Sequence, residues 1–133
     1  MQITWLGHSG FRIDIAEAVL LIDPWLSGNP MFPADRRDEA IAGTTHVLLT
    51  HGHSDHAADA TTICADLGIP LVGIYDLTAW LEKTTGISTI GFNKGGTVTL
   101  VAVSDAARII LELTRLDAVF TTAASMAAQL ASR

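Results

Sequence analysis

Six consecutive residues, His51-Gly52-His53-Ser54-Asp55-His56, place four metal-capable side chains in one short stretch. Neutral imidazole nitrogen and carboxylate oxygen are the donors that suit zinc and similar divalent ions. The apolar run Val47-Leu48-Leu49 just before them reads as a buried strand, and α/β proteins gather their ligand sites at strand ends. Residues two apart at such an end point the same way, so His51 and His53 are expected to approach one ion together. Asp55 and His56 then open a helix and turn toward a second ion. Six residues of backbone do not easily wrap four donors around one ion, so the spacing implies a two-metal site or an incomplete one-metal site. A solvated or structural role suits the isolated His46 better than it suits this cluster.

The segments that must position the cluster are strand-like on one side and helical on the other. Residues 2 to 9 and 11 to 16 read as two strands of a hairpin joined at Ser9-Gly10, with Phe11, Ile13 and Ile15 alternating against Arg12 and Asp14. Ala18 to Ile22 reads as a third strand, without polar alternation and therefore buried on both faces, ending at Asp23-Pro24. His8 and Asp23 both fall at strand ends where side chains could converge on the cluster, and a carboxylate that orients a ligating imidazole is a sound role for Asp23. Gly28, Pro30 and Pro33 make the next stretch a loop, and Ala34 to Ala42 a short exposed helix. Beyond the cluster a helix is expected over Asp55 to Leu67, stopped by Gly68, then a strand over Leu71 to Tyr75 and an amphipathic helix over Asp76 to Thr85 carrying Leu77, Trp80 and Leu81. The same alternation continues with a strand over Thr97 to Val103, a helix from Ser104, a strand over Ala118 to Thr121 and a last helix from Ser125. Strand and helix in turn argue for an α/β architecture with parallel pairing.

Three blocks carry a family resemblance. Ile3-Thr4-Trp5-Leu6-Gly7-His8-Ser9, then Leu21-Ile22-Asp23-Pro24-Trp25-Leu26-Ser27-Gly28-Asn29-Pro30, then Thr45-His46-Val47-Leu48-Leu49-Thr50-His51-Gly52-His53 occur in the order seen in metallo-β-lactamase-like hydrolases. They look like the UPF0173 branch of predicted metal-dependent hydrolases, over residues 1 to about 98. The resemblance implies half of a metallo-β-lactamase-like αββα sandwich, continued by β-α-β-α as a mixed sheet flanked by helices. It also implies a metal site of His51, His53, Asp55 and His56, with Asp55 the catalytic carboxylate and His8 and Asp23 behind the ligands or on the substrate side. Trp25, Met31 and Phe32 would border the substrate or pack as core.

Residues from about 99 to 133, notably Leu100-Val101-Ala102-Val103-Ser104-Asp105, resemble instead the C-terminal part of a STAS domain, the anti-sigma-factor-antagonist fold. Together the two resemblances imply a chimera joined near Gly95-Gly96, folded as a single α/β domain over residues 1 to 133. The resembled hydrolases bring a further His, a bridging Asp and a last His from later in the chain, whereas no histidine follows His56 here. A catalytic zinc usually takes three protein ligands, so Asp23, Asp76, Asp105 or Asp117, or a second copy in a homodimer, would have to complete the shells.

Composition narrows the classes. With 133 residues, 49% hydrophobic and 17% charged, the chain is long enough for a substantial core and is not disordered. A net charge of -6 with eight Lys and Arg argues against nucleic acid as partner. Aliphatic runs fall far short of the roughly 18 to 20 residues that span a bilayer, so no membrane is expected, and the absence of a leader-like start points to the cytoplasm. Cys64 stands alone and reads as a buried helical thiol.

The expected function is hydrolysis of a small ester, lactone, amide or phosphoester by water activated on a divalent metal, most simply zinc, with manganese the alternative. A catalytically silent metal-binding module and a STAS-like interaction protein are the two other readings.

Overall fold

In the computed structural model, the described residues are 1–93, together with the strand backbones at 99–101 and 121–123. Two compact units divide the chain, Met1–Lys94 and Gly95–Arg133. In the second, β7 (Thr99–Val101) pairs in parallel with β8 (Thr121–Ala123), three residues beyond the expected start at Ala118. The helices expected from Ser104 and Ser125 lie outside the described residues.

The first unit is a six-stranded sheet in simple chain order. β1 (Gln2–Trp5), β2 (Phe11–Ile15) and β3 (Ala18–Ile22) form an antiparallel meander, with Trp5 opposite Phe11 and Phe11 opposite Ile22. Next come β4 (His46–Leu48), β5 (Leu71–Ile74) and β6 (Thr89–Phe92), each parallel to its predecessor, and β4 is parallel to β3. Parallel neighbours need crossover connections. These hold α1 (Arg37–Ile41) between β3 and β4, α2 (Ser54–Ala57) and α3 (Ala60–Leu67) between β4 and β5, and α4 (Tyr75–Thr85) between β5 and β6. None of these helices is long and apolar enough to cross a membrane.

Leu21, Val47 and Leu71 stand in register across β3, β4 and β5, and all three are fully buried. They share one core with Ile41 of α1, Ala60, Ile63 and Cys64 of α3, and Leu81 of α4. Truncating such a leucine to alanine costs about 2–5 kcal/mol. Their strand neighbours Ile22, Leu48 and Val72 point the other way by the two-residue period. With Leu49, Ile74 and Phe92 they line a cavity of about 370 Å³ that reaches Thr50.

Several expectations need correction. β3 is not buried on both faces, since Leu21 alone is fully covered and its neighbours are half-buried. The helix expected over Asp55 to Leu67 is two helices, broken at Ala58-Asp59 where the Asp59 side chain turns away to bind backbone elsewhere. β6 went unread because Thr89-Ile90-Gly91-Phe92 is short and contains glycine. Trp80 is exposed on α4, whereas Leu81 is core. Gly68 and Gly86 end α3 and α4 in the left-handed conformation, as their positions imply.

Candidate metal centre

The parallel register between β3 and β4 assembles the site. Ile22 lies beside Leu48, so the chain leaving β3 at Asp23 runs abreast of the chain leaving β4 toward His51. Asp23 is 3% exposed and holds a left-handed backbone conformation, φ 46°. Its Oδ1 accepts the Thr50 N–H at 2.8 Å, and its Oδ2 accepts the Thr50 hydroxyl at 2.6 Å. The same Oδ2 lies 2.9 Å from His56 Nδ1. A buried carboxylate so engaged is satisfied by protein alone.

His51 and His53 sit in the turn between β4 and α2, with His53 the residue that caps α2 and Asp55 and His56 within its single turn. The His51 ring centroid is 4.5 Å from that of His53 and 4.0 Å from that of His56. His8, in the β1–β2 turn, also has a left-handed backbone, φ 49°. Its Nε2 is 3.1 Å from Asp55 Oδ2, and its ring packs edge-on to His56 at 5.2 Å and to Trp25 at 5.4 Å. Left-handed backbone in two non-glycine residues facing one cluster is strain of the kind that collects at functional sites.

Among the described residues, two triads bring one donor atom each within 4.8 Å of one another, His8 with Asp55 and His56, and Asp23 with His51 and His56. The pairing therefore differs from the expected one. His56 belongs to both triads, His51 meets His56 and Asp23, and Asp55 reaches His8. His53 is exposed and lies beside His51 without entering either triad. Asp76 joins neither, and Asp105 and Asp117 lie outside the described residues. In the second triad Asp23 is better placed as a hydrogen-bond partner than as a ligand. Its oxygens are already taken and buried, and a metal-bound histidine characteristically gives its other ring N–H to such a carboxylate. The fit to a divalent ion is good in donor chemistry, because His8, Asp55 and His56 bring imidazole nitrogens and a carboxylate oxygen within 4.8 Å of one another with none of the three buried.

Burial pushes the Asp55 carboxyl upward, but its own backbone N–H and the neighbouring His56, His8 and His53 outweigh this and leave it below the usual value. Asp55 is thus held as a carboxylate, the form that accepts a hydrogen bond or binds a cation.

Asp59 and Thr50 are the two residues sequence reasoning passed over. Buried Asp59 accepts the backbone N–H groups of Leu26 and Ser27 at 2.7 and 2.8 Å, and the Ser27 hydroxyl at 2.6 Å, which pins the loop after Asp23 against α3. Asn29 ties the same loop to the β1–β2 turn by donating to the Leu6 and Trp25 carbonyls. Gly7 completes that junction, since a Cβ there would stand 2.9 Å from Asn29 Nδ2 and Met31 Cβ. Phe32 is core, Met31 is exposed, and Trp25 stands against His8. A signal for Thr50 existed in its place directly before His51, but its partner Asp23 is 27 residues away.

Residues 2–109 match the Beta-lactamase superfamily domain. The chain belongs to that superfamily. A UPF0173 metal-dependent hydrolase of Cereibacter sphaeroides is 68% identical over 111 residues, covering 84% of this chain and 46% of the relative. One from Dinoroseobacter shibae is 64% identical over 100 residues, 75% of this chain and 44% of the relative. Igni18, a metallo hydrolase from the archaeon Ignicoccus hospitalis, superposes with a TM-score of 0.60 at 30% identity, covering 71% of this chain and 40% of that one. The mixed sheet with its helices is thus the α/β architecture of this superfamily, and the chain spans less than half the length of these relatives. The superfamily match extends to residue 109, past the expected limit of the resemblance at about Val98. It takes in the β7 strand that resembled a STAS segment, and nothing in these likenesses supports the STAS-like or chimeric reading.

Proposed function

We propose that this chain carries a divalent-metal site of a metal-dependent hydrolase, with His51, His53, Asp55 and His56 as the protein donors. The observation that carries the reading is the place of His56 in both triads, meeting His51 in one and Asp55 in the other, with its ring backed by the buried Asp23 carboxylate. Zinc suits the nitrogen-rich donor set best, and manganese is the alternative. When bound, such an ion supplies a Lewis acid and lowers the pKa of water toward neutrality. This chain's own residues supply the rest. Asp55 binds as a carboxylate and is the group placed to take a proton, His8 holds Asp55 from the substrate side, and Asp23 fixes the His56 ring. The substrate class is a small ester, lactone, amide or phosphoester, with Trp25 beside His8 as an apolar wall.

A second reading, a metal-binding module without turnover, is favoured by one observation, that exposed His53 enters neither triad of converging donors. In that case a homodimer, or chain beyond these residues, would complete the shells. Metal content and mass in solution of protein purified without chelator test both readings. Stoichiometric metal together with metal-dependent hydrolysis that His53→Ala abolishes supports the hydrolase. Stoichiometric metal with no turnover across ester, lactone and phosphodiester panels supports the module, and no metal refutes both.

A further inference from the structure

We infer that Thr50 is a positioning residue that fixes the tautomer of His51, so that one buried carboxylate, Asp23, sets both His51 and His56 with their Nε2 lone pairs free. This rests on reading His51 and His56 as metal donors.

A threonine hydroxyl has one proton to give, and an ionised carboxylate can only accept. The Thr50 Oγ1 to Asp23 Oδ2 distance of 2.6 Å lies in the range of charge-assisted O–H···O bonds, so that proton is committed to Asp23. His51 Nδ1 stands 2.9 Å from the same hydroxyl oxygen. With its proton spent, the oxygen has only acceptance left to offer, and Nδ1 must be the nitrogen that carries the hydrogen. A neutral imidazole has a single N–H, so His51 Nε2 is bare. His56 reaches the same state directly, because its Nδ1 faces Asp23 Oδ2 at 2.9 Å. In water a neutral histidine prefers its hydrogen on Nε2, the form that cannot bind a cation there. The Asp23–Thr50 pair therefore reverses the intrinsic preference of His51 before any ion arrives.

The chain contains its own control. Thr45 precedes His46 as Thr50 precedes His51, and the Thr45 hydroxyl gives its proton to the Val19 carbonyl at 2.9 Å while His46 Nδ1 lies 3.0 Å from its oxygen. The same logic puts the His46 hydrogen on Nδ1, in a relay that owes nothing to Asp23 or Thr50.

The test is imidazole nitrogen NMR on ¹⁵N-labelled, metal-free protein at about pH 8, above the ordinary histidine range. His51 should be the Nδ1–H tautomer in the wild type and in Thr50→Ser. In Thr50→Val it should shift toward Nε2–H while His46 stays unchanged. Zinc titration of the same proteins should show affinity falling about 10–100-fold in Thr50→Val, with Thr50→Ser close to wild type. A wild-type His51 in the Nε2–H form overturns the proposal outright, whether or not Thr50→Val folds. An unchanged tautomer in Thr50→Val, or Thr50→Ser as weak as Thr50→Val, also overturns it. Because the tautomer is read without metal, a wild type that shows the expected tautomers yet binds no zinc refutes the metal reading and leaves the Thr50 relay standing.

Discussion

Asp23 and His56, 33 residues apart in sequence, meet at 2.9 Å with Asp23 almost wholly buried. The contact exists because β3 and β4 run parallel, so the carboxylate at the end of one strand sits under the first turn of helix after the other. It gives the cluster a fixed back wall and leaves its other side to solvent.

Asp23→Asn keeps the shape but removes one of the two acceptor oxygens shared by Thr50 and His56. Leaving a buried donor without an acceptor costs about 1–3 kcal/mol, and losing the carboxylate behind a ligating histidine costs about 10–100-fold in metal affinity. Chemical denaturation and zinc titration of the variant should show both losses.

Asp59→Ala should loosen the loop after β3. The Leu26 and Ser27 N–H groups and the Ser27 hydroxyl all lose their acceptor, for an expected destabilisation of about 3 kcal/mol. Limited proteolysis should then cut between residues 24 and 33 at a protease concentration that leaves the wild type intact.

Arg12 links the antiparallel strands to α1 by donating to the carbonyls of Ala40 and Ala42 at 2.9 and 2.8 Å, and it is held in place by a two-pronged bond to Asp14. The hydrogen bond from Arg12 lowers the Asp14 carboxyl below its ordinary value of 3.8. A carboxyl lowered by folding stabilises fully above its unfolded value and loses that stabilisation as pH falls through the folded one. Asp14→Asn should therefore melt below the wild type near pH 6, with the gap closing as pH drops below about 4 and narrowing in high salt.

Cys64 is buried in α3, and desolvation pushes its thiol up to about 12. The thiolate is the reactive form, so Cys64 should resist alkylation at pH 8 in the folded protein and react promptly once denaturant is added. Mass spectrometry of iodoacetamide-treated protein reads both states.

The sequence by itself determined the local parts. Donor identity and spacing in His51 to His56, the hairpin of β1 with β2, and the glycine stops at Gly68 and Gly86 depend on neighbours within a few residues, where side-chain chemistry and backbone propensity act directly. The alternation of Phe11 to Ile15 did not carry over into burial, since Phe11 and Ile15 are exposed while Arg12 and Asp14 are half-buried. Cys64 as a buried helical thiol was legible for the same reason. Tertiary structure decided which donors face one another. His8 meets Asp55 and Asp23 meets Thr50 and His56 only because a hairpin turn and two parallel strand ends are brought to one end of the sheet. Parallel register spans a helical crossover, and no local pattern encodes it. Nor could the break at Asp59 be read from helix propensity, since its cause is a set of backbone N–H groups more than 30 residues earlier, at Leu26 and Ser27. Short-range preferences chose the chemical groups, and the register of β3 against β4 chose their partners.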